Sequence, residues 1–230
     1  MPRRIPAVVA EVAPPFGHVI SCQRVLTGFS LSGLTFGRDH LFYIDVDNRT
    51  IYEINKDTMA LINSFATLGN NPAGLAWKDE NSLWYGDRLS EVVREVNATT
   101  GDLISSFDAG FDVNAIAYDG THLWIGSEDD ALIRIFTLAG VLVRTTSAFA
   151  DVDVFGLTYV DPYLYVMGIW SEGVLIEMDT GVAPLAQIKR YHAMKRGSMP
   201  RHGLTWDGEY LRVGTDGDWV NNSLICKVQK

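Results

Sequence analysis

Gly33-Leu34-Thr35-Phe36, Gly74-Leu75-Ala76-Trp77, Ala115-Ile116-Ala117-Tyr118, Gly156-Leu157-Thr158-Tyr159 and Gly203-Leu204-Thr205-Trp206 are five versions of one short strand. Each has a small residue, an aliphatic, a second small residue or threonine, and an aromatic. The aliphatic positions succeed one another at 41, 41, 41 and 47 residues. A period near forty residues with a strand-like core is the pattern of a β-propeller, in which each repeat is one four-stranded blade. Five copies therefore predict an all-β, five-bladed β-propeller with four antiparallel strands per blade.

Other positions repeat in step. Leu41, Leu83, Leu123, Leu164 and Leu211 head a second strand of large apolar residues, and a third begins at Ile51, Val93, Ile133, Leu175 and Leu224. Asp119-Gly120 and Asp207-Gly208 suit the tight hairpins between the first two strands. A fourth strand starts at Leu61, Leu103, Leu142 and Leu185, but the last repeat reaches Lys230 without one. The missing copy lies at the amino end, where Val19-Ile20-Ser21-Cys22 precedes Leu61-Ile62-Asn63-Ser64 by 42 residues. Residues 18 to 26 are thus expected to close the last blade, giving one propeller domain over 18–230 behind an extension over 1–17. A sixth blade is disfavoured, because residues 1 to 32 contain no second or third strand. Closure would bring Cys22 and Cys226 onto neighbouring strands. A disulfide and two half-buried thiols both remain open, since strand register is not legible in the sequence.

The chain of 230 residues is 47% hydrophobic, enough for a sizeable core, and carries a formal net charge of -9. That acidity argues against a nucleic-acid or anionic-membrane partner. The amino-terminal stretch lacks an apolar run long enough for a signal-peptide core, so a soluble protein is expected, with a monomer as the simplest state. Two cysteines are too few for a disulfide framework or a thiolate zinc site.

In a propeller blade the first strand lines the axis, and the loops before it share a face with those joining strands two and three. The five axial positions on that face are Ser32, Ala73, Asn114, Phe155 and His202, unlike one another where the scaffold repeats. Three residues before each repeat core stand Ser30, Asn71, Asp112, Asp153 and Pro200, read as turn caps. The second-to-third strand loops are acidic, with Asp45, Asp47, Asp87, Glu128, Asp129, Asp130, Glu172, Asp216 and Asp218. Asp45, Asp87 and Asn114 converging on the axis would offer oxygen ligands to Ca²⁺ or another divalent cation; the same loops read equally as solvated turns. Phe29, Phe111, Phe155, Trp170 and Trp219 gather on this face beside Arg88 and Arg201. Rings beside carboxylates and amides suit a saccharide or small amphipathic molecule, and they serve equally as plugs between blades. The long last interval carries Lys189, Arg190, Lys195, Arg196 and Arg201, read as a basic lid or as a solvated loop. His40 and His122 fall on the opposite face, at equivalent turns, and read as structural.

No phosphate loop, dinucleotide fingerprint, serine elbow or zinc-helix motif is present. Two functional readings fit these residues. The first is a binding propeller that holds a small polar ligand or saccharide through Asn114, Phe155, Trp170, Arg201, Trp219 and Arg88. The second is a lyase, cyclase or hydrolase with His202 as acid or base, assisted by Asp45, Asp87 and a bound cation.

Leu41-Phe42-Tyr43-Ile44-Asp45 through Ile51-Tyr52-Glu53-Ile54-Asn55, and Leu83-Trp84-Tyr85-Gly86-Asp87 through Thr100-Gly101, resemble YVTN, NHL and SMP-30-like propeller repeats. The five-blade count is similar to that of propeller-type glutaminyl cyclotransferases. The likeness covers residues 18 to 230 and is one of scaffold. That family carries an acidic residue on an Asn-Glu-Leu-Glu-like first strand. Asn114-Ala115-Ile116-Ala117 and Phe155-Gly156-Leu157-Thr158 have none, so the resemblance implies the fold and not the activity.

Overall fold

A computed structural model describes residues 15–25, 30–147, 153–169, 173–181, 186–192, 201–215 and 223–230. These residues form twenty strands in five four-stranded antiparallel sheets. The first strand in the chain, β1 (Val19–Arg24), belongs to the last blade. Blade one holds β2 (Leu31–Gly37), β3 (His40–Asp45), β4 (Thr50–Asn55) and β5 (Leu61–Ala66). Blade two holds β6 (Pro72–Asp79), β7 (Ser82–Asp87), β8 (Val92–Asn97) and β9 (Leu103–Asp108). Blade three holds β10 (Ala115–Tyr118), β11 (His122–Gly126), β12 (Leu132–Thr137) and β13 (Leu142–Ser147). Blade four holds β14 (Asp153–Val160), β15 (Tyr163–Ile169), β16 (Gly173–Asp179) and β17 (Ala186–His192). Blade five holds β18 (Arg201–Trp206), β19 (Leu211–Thr215) and β20 (Leu224–Val228), with β1 added outside β20. Among the described residues no helix is long and apolar enough to cross a membrane.

Blades pack face to face, so both faces of the inner three strands need apolar side chains. Alternation along β3 shows how this works. Leu41 and Tyr43 enter the core shared with Ile225 of blade five, whereas Phe42 and Ile44 enter the core shared with Leu75, Leu83 and Tyr85 of blade two. The second strands of blades one to four consequently read as largely apolar runs, whereas β19 buries Arg212 against Asp207. Outer strands contribute less, and each carries a bulge near its start, with Ile20, Ile62, Ile104 and Val143 exposed there. A bulge twists an edge away from further pairing.

The small residue that opens each repeat has a packing cause. A Cβ on Gly74 would lie 3.0 Å from the backbone of Ala115 and Ile116, one on Gly156 2.9 Å from Leu204 Cβ, and one on Gly203 2.8 Å from Leu34 Cβ. Neighbouring inner strands therefore meet nearly backbone to backbone. Inner strands two blades apart, such as β6 and β14, also come within 8 Å between Cα atoms. The free inner edge is partly satisfied from the next blade, where Thr35 Oγ1 accepts a hydrogen bond from Trp77 N at 2.8 Å.

The amino-terminal strand closes the ring as expected, and its register decides the cysteine question. Cys22 stands directly opposite Cys226, and the two form a disulfide. The basic insertion is only partly among the described residues. Lys189 and Arg190 lie within outer strand β17, which runs from Ala186 to His192. Lys189 Nζ donates to the buried Glu177 at 3.1 Å and stands over the Phe16 ring. Lys195 and Arg196 lie outside the described residues.

Candidate functional site

Five inner strands begin on one face of the ring, and the loops between second and third strands end there too. On the side formed by blades two to four, these loops bring together Arg88, Asp112, Asn114, Glu128 and Asp153. Arg88 leaves the β7–β8 loop and pairs through Nη2 with Glu128 Oε2, in the β11–β12 loop of the next blade. Its Nε lies 3.4 Å from Asp112 Oδ1, an ion pair across the same blade boundary. The buried Asn114 donates from Nδ2 to the same Glu128 Oε2 at 2.8 Å, and its backbone N–H is held by Gly126 O. One arginine thus ties two blades at the mouth.

Carboxylates here outnumber the arginine. Burial pushes the Asp112 carboxyl above its ordinary range; Arg88 opposes this, and the charges of Asp129 and Glu128 add to it. Burial also raises Asp153, reinforced by Glu128 and Asp129. The site therefore contains carboxyls that hold protons more tightly than usual, beside a guanidinium and a fixed carboxamide. Such a set can bind a ligand rich in hydrogen-bond donors, and it has groups suited to proton transfer.

The other expected residues are dispersed. Asp45 and Asp87 end β3 and β7 at equivalent places, both buried, and both serve turns. Asp45 accepts from Asn48 N at 3.2 Å and Asn48 Nδ2 at 2.6 Å. Asp87 accepts from the backbone of Asn70, Asn71 and Ser90 at 2.8, 3.2 and 2.9 Å. For Asp87, burial raises the carboxyl but the bonds from Ser90, Asn71 and Asn70 prevail, leaving it below the ordinary range. With their oxygens so engaged, Asp45 and Asp87 fit turn anchoring better than metal ligation together with Asn114. Among the described residues no group of three or more histidine, cysteine, aspartate or glutamate side chains is arranged to hold a metal ion.

Phe155 is half-buried in β14. Arg201 and His202 open β18 beside a bulge, and their side chains are not among those described. Trp170 and Trp219, with Phe29, Glu172, Asp216 and Asp218, lie outside the described residues. Phe111 packs on Phe136 with ring centroids 6.1 Å apart and lies under Arg134. His40 bonds Glu53 at 2.7 Å and His122 lies 3.8 Å from Asp119, on the opposite face. Asp112 and Asp153, read from sequence as caps, belong instead to the mouth cluster. The signal was available: only blades three and four carry aspartate at that position, flanking the loop with three consecutive acids.

A cavity of about 140 Å³ also lies on the axis, toward the far ends of the inner strands. All five blades wall it, through residues such as Thr35, Ala76, Ala117, Thr158 and Thr205.

No protein-family model matches this chain, and no curated protein matches it. The YVTN, NHL and SMP-30-like likeness accordingly rests on strand pattern. Among solved structures, the chain is similar to the Myxococcus xanthus glutaminyl cyclase, with a TM-score of 0.73 at 15% identity, over 94% of this chain and 99% of that one. It is also similar to a chain of the mitotic checkpoint complex, with a TM-score of 0.55 at 18% identity, over 86% of this chain and 63% of that one. At these identities the shared property is the propeller fold.

Proposed function

We propose that the protein holds a small polar ligand, such as a saccharide, at the mouth formed by blades two to four. The observation that carries this reading is the network of Arg88, Glu128, Asn114 and Asp112, built across two blades from loops that the scaffold does not require to meet. Fixed donors and acceptors of this kind orient a small ligand, and rings from the surrounding loops would cover its apolar faces. Calorimetric titration with a panel of mono- and disaccharides and small amino amides tests it. Binding by the native protein should weaken at least roughly ten-fold in Arg88→Ala and Asn114→Ala, the loss of one charged or buried hydrogen bond. Equal affinity in both variants sinks the proposal.

A second reading, a lyase, cyclase or hydrolase acting at the same mouth, is favoured by the raised Asp112 and Asp153 carboxyls beside Glu128. The glutaminyl cyclase fold is in keeping with it, as an analogy only. His202 is the proposed acid or base of this reading, and a divalent cation its proposed cofactor. Turnover that survives both His202→Ala and Asp112→Asn excludes those roles, and elemental analysis of purified protein tests the cation.

A further inference from the structure

We infer that the Cys22–Cys226 disulfide is a redox-operated latch on the seam of the ring, opened by a dithiol reductant. The bridge joins residues 204 positions apart in sequence and fastens the amino-terminal strand to the last blade. Its two sulfurs sit in different surroundings: Cys22 is on the exposed outer strand, whereas Cys226 is buried in the core between blades four and five. A thiolate from solvent therefore reaches Cys22 first.

The chemistry balances as ordinary thiol–disulfide exchange. One thiolate of the dithiol attacks Cys22 Sγ, a mixed disulfide forms, and Cys226 Sγ leaves as thiolate. The second thiol of the reductant, deprotonated, then attacks its partner sulfur. Cys22 leaves as thiolate, and the dithiol is oxidised to its own disulfide.

The effect of reduction depends on how β1 is otherwise held. Ile20, Ser21, Cys22 and Arg24 are exposed, so the strand adds little apolar burial between Val19 and Val25. Its other ties are the ladder to β20, continued by Gly17 N to Gln229 O and Val25 N to Ser223 O, the packing of Val19 and Val25 at its two ends, and a bond from Gln23 Nε2 to Asp57 O. The inner strands of blade five have their own core through Leu204, Leu211, Val213 and Val228. Reduction thus loosens β1 while the remaining blades stay closed. The strand continues through Val25 toward Ser30, whose carbonyl accepts from Val46 N, and then to Ser32 on the axis.

Hydrogen exchange of the full chain, read by mass spectrometry with and without dithiothreitol, tests the latch. Peptides over residues 19–24 should exchange on the order of 100-fold faster after reduction, with those over residues 73–97 unchanged. The Cys22→Ala/Cys226→Ala variant should match the reduced protein and ignore the reductant. Free thiols in air-oxidised protein, unchanged exchange in β1, or equal acceleration in every blade would each overturn the proposal.

Discussion

Replacing Gly74 by alanine tests the claim that the ring closes by direct contact between inner-strand backbones. Gly74 has φ of +58°, where an L-residue costs about 1–2 kcal/mol. Its new Cβ would also sit 3.0 Å from Ala115 C, Ala115 Cα and Ile116 N, all backbone atoms of the next blade. Relieving that contact means shifting an inner strand, an overpacking cost of about 1–3 kcal/mol. Together the two come to about 2–5 kcal/mol. Gly120 separates the two contributions, because its φ is +94° and nothing lies within 4 Å of its Cβ position. Gly120→Ala should therefore show the conformational cost alone. Urea unfolding, followed by tryptophan fluorescence, would read the difference as a lower midpoint for Gly74→Ala, by up to about 1 M at a slope near 3 kcal/mol/M. Equal midpoints for the two variants would refute the close approach of the inner strands.

Asp87 binds protons less readily than an ordinary carboxyl, so its ionised form stabilises the fold above pH about 3.8 and that contribution is lost as pH falls through its lower folded value. Asp87→Asn should cost about 1.5–3 kcal/mol at pH 7, and the deficit measured by denaturant melts should shrink toward pH 2–3, on the order expected for charge-assisted bonds. In the mouth, Glu128→Gln removes a negative charge that raises Asp153, so carboxyl NMR should show Asp153 titrating at lower pH; no change would mean that Glu128 does not act on it. Thr35→Val leaves Trp77 N without its acceptor between blades one and two, and should lower stability by about 1–2 kcal/mol in thermal or urea melts.

Much of the architecture was legible because a propeller repeats locally. The Gly-Leu-Thr-Phe-like cores, the leucines heading second strands and the unpaired Val19-Ile20-Ser21-Cys22 specify strand count, blade count and the closing strand, since each blade buries its faces in the same way. The mouth was less legible. Asp45 and Asp87 read either as ligands converging on the axis or, because they recur in adjacent blades, as caps of a repeated turn, and their bonds to amides of their own or the adjoining loop supply the turn role. Asp112 looked like a cap, yet the neighbouring blade supplies Arg88 to it.

By itself, the sequence determined the periodic part of this protein: five blades, four strands in each, and a ring closed by its amino-terminal strand. Only the tertiary structure decided that Cys22 faces Cys226, that small residues at the repeat cores let backbones touch, and that Arg88, Asp112, Asn114 and Glu128 share one site. The division has a physical reason. Strand alternation and turn chemistry act between near neighbours in the chain, whereas contacts between blades and register across the seam join side chains far apart in it, 40 residues for Arg88 and Glu128 and 204 for Cys22 and Cys226, brought together by closure of the ring.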